Sequence, residues 1–292
     1  MENNKIVKAL YDLLNPCRLC PQNCGVNRLK GEKGKCRTGN EFYISSFNVH
    51  HGEEPPISGY SGSGTIFFAN CNLSCVFCQN YPISQFGHGK KSNIPELVKI
   101  MLELQNQGVH NINFVTPTHV VPWICEALLE AKSKGLKIPV VYNCGGYESI
   151  ETLKLLDGVI DIYMPDAKYS IDEKAFKYSN AKNYWGINKI AIEEMFRQVG
   201  NLVIDKLGIA KKGLLIRHLV LPNDITGSKK VLNFISKNIS PKTYLSLMSQ
   251  YHPAHNAIKF PELNRSVSKE EYKPIVEYAH KLGLDNGWIQ EL

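Results

Sequence analysis

Six short apolar segments alternate with amphipathic segments between residues 63 and 255, and this alternation constrains the fold more strongly than any other feature. Each apolar segment is rich in β-branched residues and bounded by turn residues, as buried strands are. The segments cover residues 65–70, 111–116, 139–144, 159–165, 214–221 and 244–249. Because strands that alternate with helices form parallel βα units with right-handed crossovers, the sequence predicts an α/β fold. Six such units form most of a barrel, and a doubly wound sheet is the alternative.

Helices are predicted in the intervals between these strands. The first begins at Asn93, carries Pro95 in its first turn and ends before Gly108, which is the usual arrangement of helix-end signals. Four more are expected over residues 120–134, after Tyr147, over 187–207 and over 227–239. A sixth, over residues 268–282, has apolar residues at helical spacing and should pack on the barrel.

Chemically distinctive residues follow four of the predicted strands. Cys71 follows the first strand, residues 116–119 the second, residues 143–146 the third and residues 166–168 the fourth. In βα barrels the reacting groups lie at the carboxyl ends of the strands. We therefore expect these four segments to meet at one edge of the sheet and to form a site there.

Three cysteines, Cys71, Cys75 and Cys78, stand on the loop after the first strand, separated by three and two residues. Thiolate sulfur is a soft ligand suited to iron–sulfur clusters, and three thiolates can hold three irons of a 4Fe–4S cluster. The fourth iron then has no protein ligand and stays open, whereas ordinary electron-carrying clusters are closed by four cysteines. A structural zinc site, with His88 as the fourth ligand, is the alternative.

Four further cysteines precede the barrel. Cys17, Cys20, Cys24 and Cys36 fall close together and are expected to form one metal site. An auxiliary 4Fe–4S cluster is favoured slightly over zinc, since four thiolates satisfy both metals. We expect three regions: a Cys-rich metal-binding region over residues 1–62, the partial barrel over 63–255 and a tail with a helix over 256–292.

Composition bounds the remaining classes of function. The chain has 292 residues, 43% hydrophobic and 21% charged, with a net charge of +7, which is ordinary for a globular protein. Its lysines are scattered along helical segments, so the charge gives little support to a nucleic-acid partner. Neither a membrane-spanning apolar run nor a signal peptide is present, and a cytoplasmic location is expected.

A polar group precedes the first predicted strand of the barrel. It consists of His50, His51, Glu53 and Glu54. We interpret this group as a surface or domain-interface loop, with a metal site as the alternative.

The loop with Cys71, Cys75 and Cys78 resembles that of the radical S-adenosylmethionine (SAM) superfamily. Within it, the chain is similar to the activating enzyme of pyruvate formate-lyase and to the stand-alone homologues of that activase. The segments that carry this likeness are residues 17–21, 52–58, 71–80, 115–119, 161–168 and 248–251. The resemblance implies a partial (β/α)6 barrel of the radical SAM type, a 4Fe–4S cluster, and SAM that chelates the open iron through its amino and carboxylate groups.

The resemblance also implies SAM contacts after the second and third strands. Thr116, Pro117 and Thr118 stand where the activases have a Gly-Gly-Glu-like turn that binds the methionine amino group. Their hydroxyls and backbone are expected to do a similar job here. Asn143 stands in the turn that corresponds to the Thr-Asn-Gly-like turn of the family.

Further SAM contacts are implied at the later strands. Asp166 and Lys168 match the Leu-Asp-x-Lys element of the activases, and Lys168 can pair with the SAM carboxylate as a point charge. The alternative for these two is a local surface ion pair. Phe77 is expected to shield the cluster near the adenine. Candidates for the ribose or substrate side are Arg217, His218, Gln250, Tyr251 and His252.

The implied function is that of a radical SAM enzyme. Reductive cleavage of SAM gives methionine and a 5′-deoxyadenosyl radical, which abstracts hydrogen from an unidentified peptide or small-molecule substrate. Activation of a glycyl radical enzyme is the alternative, because the replaced turn at residues 116–118 and the position of the extra cysteines depart from true activases. A non-enzymatic iron–sulfur or zinc protein is a third interpretation. A flavodoxin or ferredoxin is expected to deliver electrons by docking on a basic face.

Overall fold

The computed structural model describes residues 2–291. Met1 and Leu292, the outermost residues of the predicted regions 1–62 and 256–292, lie outside the described residues. Ten strands of the described chain form one sheet. They are β1 (Phe42–His50), β2 (Ser63–Phe68), β3 (Lys90–Ser92), β4 (Ile112–Val115), β5 (Val140–Cys144), β6 (Ile162–Pro165), β7 (Val203–Ile204), β8 (Ala210–Leu219), β9 (Tyr244–Met248) and β10 (Gly287–Ile289). The six predicted strands are found as β2, β4, β5, β6, β8 and β9.

The order of strands in the sheet follows the order in the chain over most of its width. It runs β10-β9-β8-β6-β5-β4-β2-β1-β3, and the short β7 pairs with β8. The six predicted strands and β10 pair in parallel. Because the order of these parallel strands never reverses, they form no switch point of a doubly wound sheet. The sheet ends at β10 and β3 without closing, which confirms the predicted partial barrel.

Ten α-helices accompany the described strands. They are α1 (Glu2–Asp12), α2 (Pro55–Ser58), α3 (Tyr81–Ser84), α4 (Ile94–Asn106), α5 (Val121–Ser133), α6 (Ile150–Leu155), α7 (Asp172–Ser179), α8 (Tyr184–Val199), α9 (Ser228–Phe234) and α10 (Lys269–Lys281). A π-helical turn, Ile235–Ile239, continues α9. The predicted helices correspond to α4, α5, α6, α8, α9 and α10.

The predicted helix ends agree with the structure where the end signals are strong. Asn93 caps α4, and Ser268 caps α10 in a reciprocal capping box. The helix predicted over residues 187–207 is wrong at both ends, since α8 begins at Tyr184 and ends at Val199. Gly200 stops it because its φ of 69° is a left-handed conformation that glycine adopts without strain.

Three strands that the sequence does not predict extend the sheet at its edges. β1 pairs antiparallel with β2 and β3, and β10 pairs parallel with β9. Burial alternates only over the first four residues of β1, and β3 and β10 have three residues each, so their periodicity is too weak to detect. Residues 42–50 and 287–289 therefore belong to the same sheet as the barrel strands.

A short helix closes the interior of the partial barrel near the amino ends of the strands. Ile57 of α2 is fully buried among Val141, Ile162, Leu215 and Tyr244, which come from β5, β6, β8 and β9. The chain between β1 and β2 therefore forms a floor. At the carboxyl ends of the strands the interior opens into a cavity.

Candidate active site

The cavity has a volume of about 450 Å³ and lies where the parallel strands end. The loop after β2 forms one wall, and residues at the ends of β4, β5, β6, β8 and β9 form the others. This is the edge at which the sequence predicts a site. The meeting of these segments follows from the parallel sheet, because the carboxyl ends of neighbouring parallel strands point the same way.

All three cysteines of the loop after β2 line this cavity. Each sulfur lies beside a hydrogen-bonding group of its own: the N–H of Leu73 at 3.3 Å from Cys71, the hydroxyl of Ser179 at 3.0 Å from Cys75, and the hydroxyl of Ser84 at 3.1 Å from Cys78. Such donors stabilise metal-bound thiolates. Burial raises the pKa of the Cys71 and Cys75 thiols, so ionising them requires a bound cation.

The donor set fits a 4Fe–4S cluster and does not fit the zinc alternative. His88, the fourth ligand that zinc would need, does not line the cavity and packs instead near Phe86. Three sulfurs that face one cavity suit three irons of a cluster.

Hydrogen bonds to the sulfurs lead to a test at Ser179. We expect Ser179→Ala to lower the reduction potential of the cluster, because the lost hydroxyl no longer stabilises the additional negative charge of the reduced state at Cys75. A redox titration followed by electron paramagnetic resonance (EPR) measures the shift. Ser133→Ala is the matched control, since Ser133 bonds only to the carbonyl of Glu130 on exposed α5 surface. Equal potentials in the two variants would contradict the proposed contact.

Charged side chains that line the same cavity form a connected network. Asp166 accepts hydrogen bonds from Lys168 at 2.6 Å and from Arg217 at 3.0 Å, and Arg217 also donates to Asn143 at 2.8 Å. Burial by itself would raise the pKa of Asp166, but Arg217 and Lys168 outweigh burial and lower it. The carboxylate therefore stays ionised and holds both cations in place. These four side chains, predicted individually as SAM contacts, lie together.

Two residues of α8 that the sequence analysis missed hold the turns beneath this network. The Tyr184 hydroxyl donates to the Gly145 carbonyl at 2.9 Å, and the Asn188 amide donates to the carbonyls of Gly146 and Asp166. Gly146 must be glycine here, because a Cβ would lie 2.0 Å from the Asp166 carbonyl oxygen. Both are buried on α8, but the helix carries several other polar residues, so its sequence does not single these two out.

The three residues of the predicted SAM-binding turn after β4 lie in different environments. Thr116 lines the cavity with a φ of 59°, an uncommon conformation for a β-branched residue that marks a strained site. Pro117 does not line the cavity, and Thr118 is fully buried, donating its hydroxyl to Glu148 at 2.7 Å. Of these three residues, only Thr116 therefore remains a proposed SAM contact.

Glu148 lies buried below that turn and gives a pH-dependent prediction. Burial raises its pKa from 4.5 to about 7, although Thr118 and Tyr142 donate to it. Between pH 4.5 and 7 the folded chain keeps a proton that the unfolded chain has released, so the free energy of unfolding falls as pH rises. The expected decrease is about 3 kcal/mol. Above pH 7 this contribution no longer changes.

Anaerobic urea unfolding at several pH values measures this effect. Glu148→Gln should remove the decrease between pH 5 and pH 8, because glutamine does not titrate. Glu151→Gln is the control, since Glu151 lies in an exposed ion pair with Arg18 and no large pH effect is expected. A wild-type decrease that persists in Glu148→Gln would assign it to another group.

The floor of the cavity contains residues that the sequence analysis interpreted as a surface loop. The structure differs, because His50, Gly52 and Glu53 line the cavity. Glu53 lies 3.4 Å from His50 and 3.9 Å from Arg217, and the nearby Glu53 carboxylate raises the pKa of His50. The His50 ring packs edge-on against Phe67 with centroids 6.0 Å apart. The position of His50, Gly52 and Glu53 depends on the packing of α2, and no local sequence pattern predicts that packing.

The other predicted site residues lie in different places. Phe77 lines the cavity and packs edge-on against Tyr251 at 5.8 Å, and Gln250 lines it too. His218 is fully buried outside the cavity, with its ring nitrogens 2.6 Å from the Ala167 carbonyl and 2.8 Å from the Ser228 hydroxyl. It is therefore a structural residue. None of the four amino-terminal cysteines lines the cavity.

The open parallel barrel and the cysteine loop at its carboxyl edge define a class of iron–sulfur enzymes, and the comparisons with known proteins agree. Residues 65–193 match the model of the Radical SAM superfamily. The chain is 34% identical over 289 residues to the uncharacterized protein MJ0674 of Methanocaldococcus jannaschii, covering 96% of this chain and 78% of that protein. MJ0808 of the same organism is 23% identical over 282 residues, covering 87% and 78%. The chain belongs to the radical SAM superfamily.

Solved structures with the same fold include three enzymes of different kinds. HydG, the FeFe-hydrogenase maturase from Carboxydothermus hydrogenoformans, has a TM-score of 0.52 at 12% identity over 79% of this chain and 54% of its own. SuiB of Streptococcus suis, bound to precursor peptide SuiA, has a TM-score of 0.51 at 12% identity, covering 76% of this chain and 47% of SuiB. Methylornithine synthase (PylB) has a TM-score of 0.50 at 14% identity, covering 77% of this chain and 63% of PylB. The chain spans less than two thirds of each, and these likenesses concern the fold alone.

Membership establishes the general character of the protein. It is a radical SAM enzyme, and the superfamily implies a 4Fe–4S cluster and SAM as cofactors. Cys71, Cys75 and Cys78 are the residues that would hold the cluster. No helix within residues 2–291 is long and apolar enough to cross a membrane.

Proposed function

We propose that this enzyme cleaves SAM reductively and uses the resulting radical on a peptide or small-molecule group that enters the cavity. The observation that carries the proposal is that Cys71, Cys75 and Cys78 share one cavity with the network of Asp166 and Lys168. When bound, the cluster and SAM supply the one-electron cleavage that yields a 5′-deoxyadenosyl radical. The chain supplies binding, orientation and exclusion of water.

Lys168 is the residue we assign to the SAM carboxylate. Its ammonium group lies in the cavity, is held by Asp166 at 2.6 Å and is close enough to Cys75 for their charges to interact. This position places a fixed positive charge beside the cysteine loop. Thr116 and Asn143 line the cavity from the ends of β4 and β5, where they are proposed to contact the rest of the methionine moiety.

The volume of the cavity limits the substrate. A cavity of about 450 Å³ is near the lower end of the range that holds one drug-sized ligand, roughly 300–1,000 Å³. With SAM bound, the remaining space admits one side chain or the reactive end of a small molecule. His50 and Glu53 line the floor, and their polar groups favour a substrate with a hydroxyl or amino group near the reacting carbon.

Anaerobic reconstitution with iron and sulfide, followed by dithionite and SAM, tests the proposal. We expect release of 5′-deoxyadenosine and methionine in equal amounts, and a change in the EPR spectrum of the reduced cluster when SAM is added. S-adenosylhomocysteine, which lacks the sulfonium, should give no 5′-deoxyadenosine. Reconstituted protein with a full cluster that releases none would overturn the proposal.

Activation of a glycyl radical enzyme is the second candidate function. The restricted space favours a small group delivered on a polypeptide, and glycine is the smallest such group. Incubation with a purified candidate partner, SAM and reductant should then give the EPR doublet of a glycyl radical. A doublet would establish the activase, whereas 5′-deoxyadenosine release without a doublet supports another substrate.

An acidic redox protein, such as a flavodoxin or ferredoxin, is the proposed electron donor. The chain carries a net charge of +7, which favours encounter with an acidic partner. Phe86 is 60% exposed and packs with Tyr81 and His255 just beyond the cysteine loop, so this surface lies close to the cluster ligands. SAM cleavage driven by reduced flavodoxin should therefore slow as ionic strength rises.

A further inference from the structure

The four amino-terminal cysteines are gathered in one folded loop outside the SAM cavity. Cys17 donates its N–H to the Val26 carbonyl at 2.9 Å, and Gly25 donates its N–H to the Cys17 carbonyl at 3.0 Å. These bonds place Cys17 beside Cys24. The sulfur of Cys24 accepts the N–H of Lys35 at 3.3 Å, which brings in the segment that carries the fourth cysteine.

The local backbone is adapted to this gathering. A Cβ on Gly34 would lie 2.6 Å from the sulfur of Cys24, so a glycine is required where the two segments meet. Three of the four cysteines are buried, and Cys24 is partly exposed. Cys20 lies close enough to Cys36 and Cys17 for their charges to interact. Four thiolates so close together therefore require a cation among them.

The two metals require different spacings of the sulfurs and have different chemistry. Four sulfurs around one zinc ion lie about 2.3 Å from it and about 3.8 Å from each other. In a 4Fe–4S cluster each sulfur binds a different iron and the sulfurs lie farther apart. The place of the loop favours the cluster, because it lies against the loop that carries Cys71, Cys75 and Cys78, where a redox-active centre can exchange electrons with the first cluster and a zinc ion cannot.

The amino-terminal loop lies directly against the loop of the first cluster. Gln22, between the second and third cysteines, donates to the Asn72 carbonyl at 2.9 Å. Asn70 donates to the Thr38 hydroxyl at 3.3 Å, two residues beyond the fourth cysteine. Asn70 and Asn72 flank Cys71 on either side. The two sets of cysteines are thus adjacent, yet the amino-terminal set does not face the cavity.

We propose that Cys17, Cys20, Cys24 and Cys36 hold a second 4Fe–4S cluster, which four thiolates close and which does not bind SAM. This inference goes beyond the proposed function and does not depend on it. A closed cluster beside the first one, outside the cavity, has no iron available to a substrate.

The triple variant Cys71→Ala, Cys75→Ala, Cys78→Ala isolates this site in the full chain. After anaerobic reconstitution we expect about four irons per chain, compared with about eight in the wild type. Zinc should be well below one ion per chain. The EPR spectrum of the reduced triple variant should not change when SAM is added, whereas the wild-type spectrum should contain a second component that does change.

The reciprocal double variant, Cys20→Ala with Cys24→Ala, keeps the inference falsifiable if the triple variant does not fold. It should retain about four irons and the component that responds to SAM. One zinc and no iron in the triple variant, a SAM-induced spectral change there, or a wild-type iron content in the double variant would each overturn the inference. Four irons in the triple variant without any SAM cleavage by the wild type would instead overturn only the proposed function.

Discussion

The Cys75→Ala variant is expected to release no measurable 5′-deoxyadenosine from SAM. Cys75 lies in the cavity wall between Cys71 and Cys78, and Ser179 donates to its sulfur. With two thiolates left, the cluster loses one of its three protein ligands. Loss of an outer-shell partner alone costs roughly 10–100-fold in metal affinity or activity, so loss of a ligand should reduce cleavage by more than about a hundredfold. Liquid chromatography of the anaerobic reaction measures the product.

Cys125→Ala is the matched control for this loss. Cys125 is equally a buried free cysteine, but it lies on α5 in the hydrophobic core, away from the cavity. We expect it to retain most of the wild-type cleavage and iron content. Cys17→Ala should retain part of the cleavage, since its sulfur is outside the cavity. Substantial cleavage by Cys75→Ala would show that the cysteine loop does not hold the reacting cluster.

The Asp166→Ala variant is expected to lose about 3–5 kcal/mol of the free energy of unfolding, together with SAM affinity. Asp166 is the common partner of Lys168 and Arg217, and all three side chains are largely buried. Removing the carboxylate leaves Lys168 without its hydrogen-bonded counter-charge in a poorly solvated place, and leaves Arg217 with the longer contact to Glu53 at 3.9 Å. Lys168 also loses the contact that holds it in position for SAM. Anaerobic urea unfolding and equilibrium SAM binding measure the two effects.

Glu130→Gln serves as the control for breaking an ion pair. Glu130 pairs with Lys134 at 2.6 Å on the exposed face of α5, where water solvates both charges. Its loss should change the free energy of unfolding by less than about 1 kcal/mol and leave SAM binding unchanged. If Asp166→Ala cost no more than this control, the network would be an ordinary surface ion pair and would have no special role in the cavity.

The contrast between Lys168 and Thr118 illustrates how far a sequence pattern reaches. The family resemblance predicts that both contact SAM, and both follow predicted parallel strands. Lys168 points into the cavity, but Thr118 turns away because the buried Glu148 accepts its hydroxyl. A position at a strand end predicts the neighbourhood of a residue. The direction of its side chain depends on partners distant in sequence.

His50 and Glu53 are the reverse case, because the sequence did not predict them at the site and the structure places them there. They precede the barrel, and their local sequence resembles an exposed loop. They line the cavity because β1 adds to the edge of β2 and because Ile57 packs inside the barrel. The β1–β2 pairing and the packing of Ile57 depend on tertiary contacts. A periodic pattern within a short stretch of sequence cannot predict such contacts.

The sequence by itself determined the six parallel strands of the barrel, most of the helices between them, the cysteine loop and the edge of the sheet at which a site forms. It could do so because burial periodicity, helix-end signals and metal-ligand spacing are local properties of the chain. Only the tertiary structure decided which side chains face the cavity, which acid stays ionised, and that two groups of cysteines lie against each other. Those outcomes depend on burial and on hydrogen bonds between distant segments, which form only when the chain has folded.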